Sequence, residues 1–169
     1  QNSLLKGIPV LVEKPLTLNK KEALNLRRIS ESNKTLLMTE FTQLYNPKFT
    51  QLKKSLQLVG KIKKIKTIAS NFGPIRKETP VLWDWGSHEL SILISLLEEI
   101  PSSIEAIKIK EKVNDFGEAS SWDIICKFKN QITSHTSISN IDVLEEGQIV
   151  TKCNGIEVET IEDLRKAAI

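Results

Sequence analysis

The sequence predicts an α/β unit followed by an α+β unit: the end of a doubly wound parallel arrangement, then a predominantly antiparallel sheet with helices on one face. Three observations predict it. A solid apolar run, Ile8–Val12, and a second strand-like run, Thr35–Phe41, flank an amphipathic stretch, which is the strand–helix–strand order of a right-handed βαβ unit. From Ser103 onward, short runs with alternating apolar residues follow one another with tight turns such as Lys129-Asn130, as antiparallel strands do. Ahead of them, the stretch around Ser87–Glu98 is apolar almost all round, as a helix buried against a sheet must be.

Each element has its local reason. Ile8–Val12 reads as a strand buried on both faces, ended by Pro15. Asn19, with Glu22 three residues on, starts a helix that runs to about Ser32 with Ala23, Leu24, Leu26 and Ile29 on its apolar side. Pro47–Val59 is a second helix, ended by Gly60. The spacing of Ile62, Ile65 and Ile68 superficially fits a helix, but the β-branched content after Gly60 favours a strand over Lys61–Ser70. Asn71–Pro80 is a loop. Ser103–Lys112, Ser121–Phe128, Gln131–Ile141 and Gly147–Cys153 are the remaining strands. The predicted boundary falls after residue 40, with 41–169 as the second domain.

Composition excludes several classes. A chain that is 40% hydrophobic and 27% charged is globular rather than disordered. A net charge of +3 is too small to imply a nucleic-acid partner. No apolar run approaches the roughly 18–20 residues of a membrane span. Cys126 and Cys153 form no C-x-x-C pair and no disulfide framework, so a reducing cytoplasm is expected. The chain begins at Gln1 and its single methionine is Met38, so the natural start is expected upstream.

Two clusters could carry chemistry. Glu13-Lys14-Pro15 follows a predicted parallel strand, and ligands bind at that carboxyl edge of an open sheet. Lys14 either directs its ammonium at a polar substrate group or simply snorkels from a strand end. The second cluster is Trp83-Asp84-Trp85-Gly86-Ser87-His88. Asp84 and His88 are four apart and share a side if the turn is helical. At the mouth of the predicted helix the dipole favours a neutral imidazole, the form a general base needs. The alternative is a helix cap with one structurally satisfied histidine. Two such groups without a third make no zinc site, so no metal is expected. His135 lies in a polar strand and reads as a sheet residue. The basic run Lys61, Lys63, Lys64 and Lys66 lacks interleaved aromatics and reads as a solvated strand face. Trp83, Trp85 and Trp122 read as core or interface.

Taken together, VLVEKPLT (10–17), LYNPKF (44–49) and VLWDWGSHELSILISLL (81–97) resemble the Gfo/Idh/MocA family of nicotinamide-dependent sugar and polyol oxidoreductases, over roughly residues 5–140. The stretch NFGPIRKETPVLWDWGSHELSIL resembles the branch that acts on nucleotide-linked or surface-polysaccharide sugars. The resemblance implies a Rossmann-type first unit, NAD or NADP as cofactor, and a sugar or nucleotide-sugar substrate. It implies that Glu13, Lys14 and Pro15 lie beside the nicotinamide, with Lys14 also near the reacting hydroxyl. His88 matches the proton-transferring position, Asp84 a carboxylate that orients substrate or base, and Tyr45, Asn71 and Arg76 positions lining the sugar pocket. It also implies pairing of copies through the outer sheet face.

The chain departs from that family in two places. No G-x-G-x-x-G is present: the glycines stand at 7, 60, 73, 86, 117, 147 and 155. A chain lacking most of the dinucleotide-binding domain is expected to show little or no oxidation activity by itself. The segment 147–169 superficially resembles the later half of a PDZ module, with a Cys153-Asn154-Gly155 turn and a final helix; it reads as the closing strands and helix of the second domain. The competing expectation is a non-catalytic sugar-binding or dimerisation domain.

Overall fold

The computed structural model describes residues 1–56, 58–71, 75–114, 117–129, 131–141, 150–153 and 156–158, with Asn114 and the last two stretches described by backbone alone. The chain divides into two units, Gln1–Thr42 and Gln43–Ile169.

In the first unit a short helix α1 (Asn2–Leu5) precedes β1 (Val10–Glu13), α2 (Lys20–Ser32) and β2 (Leu37–Glu40). Asn19 caps α2 as expected: its side-chain oxygen accepts from the Lys21 N–H at 2.8 Å, and Glu22 complements the dipole of the first turn. The strands β1 and β2 are parallel, with Val10 opposite Leu37 and Glu13 opposite Glu40, so the βαβ order is present. Two details differ from expectation. The strand starts at Val10 rather than Ile8, because Pro9 has no N–H to give to the ladder. It is also not buried on both faces: Val10 and Val12 are half-buried, whereas Leu11 between them is 60% exposed. Among the described residues β1 has one neighbour, β2, and α2 packs against β2 and α1. The second strand is likewise shorter than Thr35–Phe41; Thr35 instead spends its backbone N–H on the Ser30 carbonyl, closing the turn after α2.

The second unit contains α3 (Pro47–Leu56), β3 (Lys64–Ser70), α4 (Val81–Leu97), β4 (Ser103–Asn114), β5 (Gly117–Lys127), β6 (Thr133–Ser139), β7 (Val150–Cys153) and β8 (Ile156–Val158). Asn46 caps α3 through Lys48 N–H at 2.9 Å, with Pro47 at the first helical position, where its missing donor does no harm. The helix stops at Leu56, three residues before the expected Val59; Gly60 follows at φ +77°. The sheet order is β4-β5-β6-β3-β7-β8. Among the described pairs of this sheet only β3–β6 is parallel; β4–β5, β5–β6, β3–β7 and β7–β8 are antiparallel. The fold is thus a mixed, predominantly antiparallel sheet carrying helices, as predicted. Lys61–Ser70 is a strand from Lys64 onward, and all four lysines of the basic run are exposed.

The core lies between α4 and the sheet: Ile65, Val81, Leu93, Ile124, Cys126, Phe128 and Ile138 are buried there. Alternation along β5 puts Ile124 and Cys126 on this side with Trp122 partly buried beside them. By contrast the alternating run in β4 has no buried face. It is an end strand of the sheet, and Ile104, Ile107, Ile109 and Val113 are all exposed. Lys108, Lys110 and Lys112 guard that edge against further pairing. The Gly147–Cys153 strand is described from Val150. Asn154, Gly155 and the predicted final helix lie outside the described residues.

The largest correction concerns α4, which begins at Val81 and not near Ser87. Pro80, whose carbonyl accepts from the N–H groups of Trp83 and Asp84, sets the start. Nor is the helix buried all round: Val81, Gly86, Leu93 and Leu96 are buried, while Trp83 is 43% exposed, contrary to a core role for it. Gly86 lets the helix approach the sheet closely, since a Cβ there would lie 3.1 Å from Ile124 Cδ1 and 3.7 Å from Ile138 Cδ1. Gly86→Val overpacks this contact and is expected to lower stability by about 1–3 kcal/mol in urea unfolding. An unchanged midpoint would show that the helix rides higher on the sheet than described.

Candidate active site

Asp84 and His88 are one turn apart within α4 and therefore lie on the same side of it. Gly86 faces the sheet, and each of the two lies about 200° around the helix from it. The pair is thus presented on the side away from the core. Asp84, in the first turn, is the residue that feels the positive end of the helix dipole; this corrects the expectation that placed His88 there. The dipole stabilises the Asp84 carboxylate. Its side chain is 14% exposed, and Oδ2 stands 4.0 Å from Nε of the more exposed Arg76. At that distance and exposure the ion pair itself adds little stability. It leaves a guanidinium at the rim of a carboxylate that is mostly shielded. Nδ1 of His88 is buried, and the His88 carbonyl accepts from Ser91 Oγ at 2.7 Å.

The other predicted positions are placed as follows. Tyr45 ends a 3₁₀ turn (Thr42–Tyr45) and is 65% exposed. Asn71 is exposed directly after β3, where its backbone N–H donates to the Ser139 carbonyl at 3.0 Å. In the first unit Glu13 ends β1, and Lys14 and Pro15 follow it, half-buried and joined by a cis peptide bond. They stand at the carboxyl end of a parallel strand pair, as predicted from the sequence. His135 is a sheet residue, its Nε2 3.1 Å from Asp123 Oδ2, with Ser137 Oγ donating to the other carboxylate oxygen at 2.7 Å. No group of three or more His, Cys, Asp or Glu side chains among the described residues could hold a metal ion. No helix of the described residues is long and apolar enough to cross a membrane.

No family model and no curated protein matches the chain. Solved structures do. A suspected oxidoreductase from Magnetospirillum magnetotacticum MS-1 is 31% identical, with a TM-score of 0.78 over 90% of this chain and 52% of its own. An NAD-binding protein from Listeria innocua is 16% identical, with a TM-score of 0.74 over 90% and 48%. GenD2 from gentamicin A biosynthesis, solved in complex with NAD, is 19% identical, with a TM-score of 0.74 over 89% and 45%. The chain has their fold. It spans about half the length of each.

One partly buried carboxylate near this site was missed by sequence reasoning. Glu89 follows His88 and, three residues on from Gly86, returns toward the sheet. Burial pushes its carboxyl above the ordinary carboxylate range, and a hydrogen bond with Thr67 partly offsets that. Thr67 Oγ1 in turn donates to Thr136 Oγ1 at 2.8 Å, and both threonines are buried. The available signal was the alternation of β3, which puts Thr67 on the same side as Ile65.

Proposed function

We propose that this chain is the substrate-side part of an NAD- or NADP-dependent oxidoreductase of the Gfo/Idh/MocA type, acting on a hydroxyl of a sugar or nucleotide-linked sugar. The observation that carries this reading is the shared side of Asp84 and His88 on α4, with Arg76 beside Asp84. The fold shared with oxidoreductases and NAD-binding proteins supports it.

The residues fit only one end of the cofactor. Glu13, Lys14 and Pro15 at the carboxyl edge of β1–β2 suit a nicotinamide. The N-terminus of α2 does not suit a pyrophosphate, because the Asn19 side chain already occupies it and no Gly-rich turn precedes it. The bound nicotinamide supplies the hydride acceptor at its C4. His88 takes the proton from the substrate hydroxyl, and Lys14 is assigned to the nicotinamide. Asp84 orients the imidazole or a neighbouring sugar hydroxyl, and Arg76, Asn71 and Tyr45 contact the rest of the sugar. Because α2 offers no cradle, calorimetry on the 169-residue chain is expected to detect no tight NAD binding. Tight binding would contradict this division of labour.

We also propose that two copies pair through the sheet, which the exposed Ile104, Ile107, Ile109 and Val113 of β4 favour. Light scattering is expected to report a dimer that Ile107→Lys with Ile109→Lys converts to monomer. A parent chain that is already monomeric refutes the pairing. The same exposed strand is what favours the second reading, a non-catalytic sugar-binding or dimerisation domain; substrate turnover lost on replacing His88 separates the two.

A further inference from the structure

At the far end of α4 lies a cavity that the candidate active site does not use. Its volume is about 360 Å³, within the range of small-molecule sites. Its floor is aliphatic: Leu56 from the last turn of α3, Ile62 just ahead of β3, Leu96 and Leu97 from the last turn of α4, and Ile132 just ahead of β6. Leu96 is buried and the other four are half-buried. Its rim is charged, with Lys53, Lys61 and Glu98. At 1.5 Å per residue Leu96 stands about 18 Å along the helix from Asp84, so the cavity and the Asp84–His88 pair belong to opposite ends of α4.

Charge selects what such a cavity takes. Residues 41–77 hold nine of the 24 Lys and Arg and none of the 21 Asp and Glu, so this segment is strongly positive while the remainder of the chain is net negative. Both cationic residues of the rim come from that segment. One feature opposes an anion: the carbonyl end of α4 carries partial negative charge. Lys53 offsets it, because its Nζ lies 2.9 Å from Oε1 of Glu98, the residue that follows the helix, and so neutralises the acidic side chain of the rim. Lys61 is exposed and is engaged by no ion pair among the described residues. We propose that this cavity binds an aliphatic molecule with one anionic head group, its chain on Leu56, Ile62, Leu97 and Ile132 and its head beside Lys61. A cation of the same shape would meet the two lysines instead. A head group without a chain would leave the aliphatic floor in water. The proposal is independent of the oxidation assigned to His88.

Amide ¹H–¹⁵N spectra of the 169-residue chain, titrated with octanoate below its micelle concentration, test it. Saturable shifts are expected at Leu56, Ile62, Leu97 and Ile132. Each buried methylene adds to affinity, so butanoate should bind at least tenfold more weakly. Octylammonium, equal in chain and opposite in charge, should also be at least tenfold weaker. Lys61 is exposed, so Lys61→Glu spares the fold and should weaken octanoate at least fivefold. Leu56→Trp should abolish the shifts by filling the cavity; if that variant does not fold, Lys61→Glu decides alone. Absence of saturable shifts overturns the proposal. So do shifts centred on the exposed isoleucines of β4, equal binding of octylammonium, or octanoate binding unchanged in Lys61→Glu.

Discussion

His88→Asn lowers sugar-alcohol oxidation about 100-fold or more when this chain is joined to a G-x-G-x-x-G dinucleotide-binding half. The expected loss is in kcat, with KM little changed. Asparagine keeps the size and polarity of the side chain but cannot accept the hydroxyl proton, so it removes an interaction made in the transition state and spares ground-state binding. The site offers few substitutes. Asp84, one turn away, sits in the first turn of α4 with Arg76 4.0 Å off, where the helix N-terminus and the guanidinium engage its carboxylate. Steady-state kinetics on the two proteins measure the loss. A kcat within threefold of the parent would remove His88 from the proton step and favour the binding-domain reading.

Leu93→Ala is expected to destabilise the second unit by about 2–5 kcal/mol. Leu93 is 1% exposed and lies two turns beyond Gly86 on the sheet-facing stripe of α4, against the cluster of Ile65, Ile124 and Ile138. Truncation removes its transfer free energy and leaves a cavity between a helix and a sheet that cannot close around it. The urea midpoint should fall with little change in slope. A loss below about 1 kcal/mol would mean that α4 is not seated as described, and the directional argument for Asp84 and His88 would go with it.

What the sequence made legible follows from periodicity and punctuation. The capping Asn19, the Pro47 start, the β-branched strand after Gly60 and the alternation of β5 each act locally, and each is present in the structure. Boundaries slipped where one residue's hydrogen-bonding capacity decides them: Pro9 delays β1, and Pro80 starts α4 two turns early. That second slip moved His88 from a helix mouth into its interior and transferred the dipole to Asp84. Burial was illegible wherever it depends on position in the sheet. Leu11 and the isoleucines of β4 have core-like patterns but are exposed. The buried hydroxyl pair of Thr67 and Thr136 is 69 residues apart in sequence, so no local pattern joins it to Glu89. The residues of the candidate site could be named in advance because a four-residue spacing on a helix fixes which side chains share a side; Tyr45 and Asn71, carried by a turn and a strand exit, had no such geometric warrant.

The most direct test is the pH dependence of kcat/KM for oxidation, in the joined protein and in its His88→Asn variant. A base must be unprotonated to accept the hydroxyl proton, so the parent's rate should decline as pH falls through the titration of its imidazole. The variant should be slow and lack that decline. A variant that keeps the same acidic limb would show that some other group takes the proton, and the role given to α4 would be wrong.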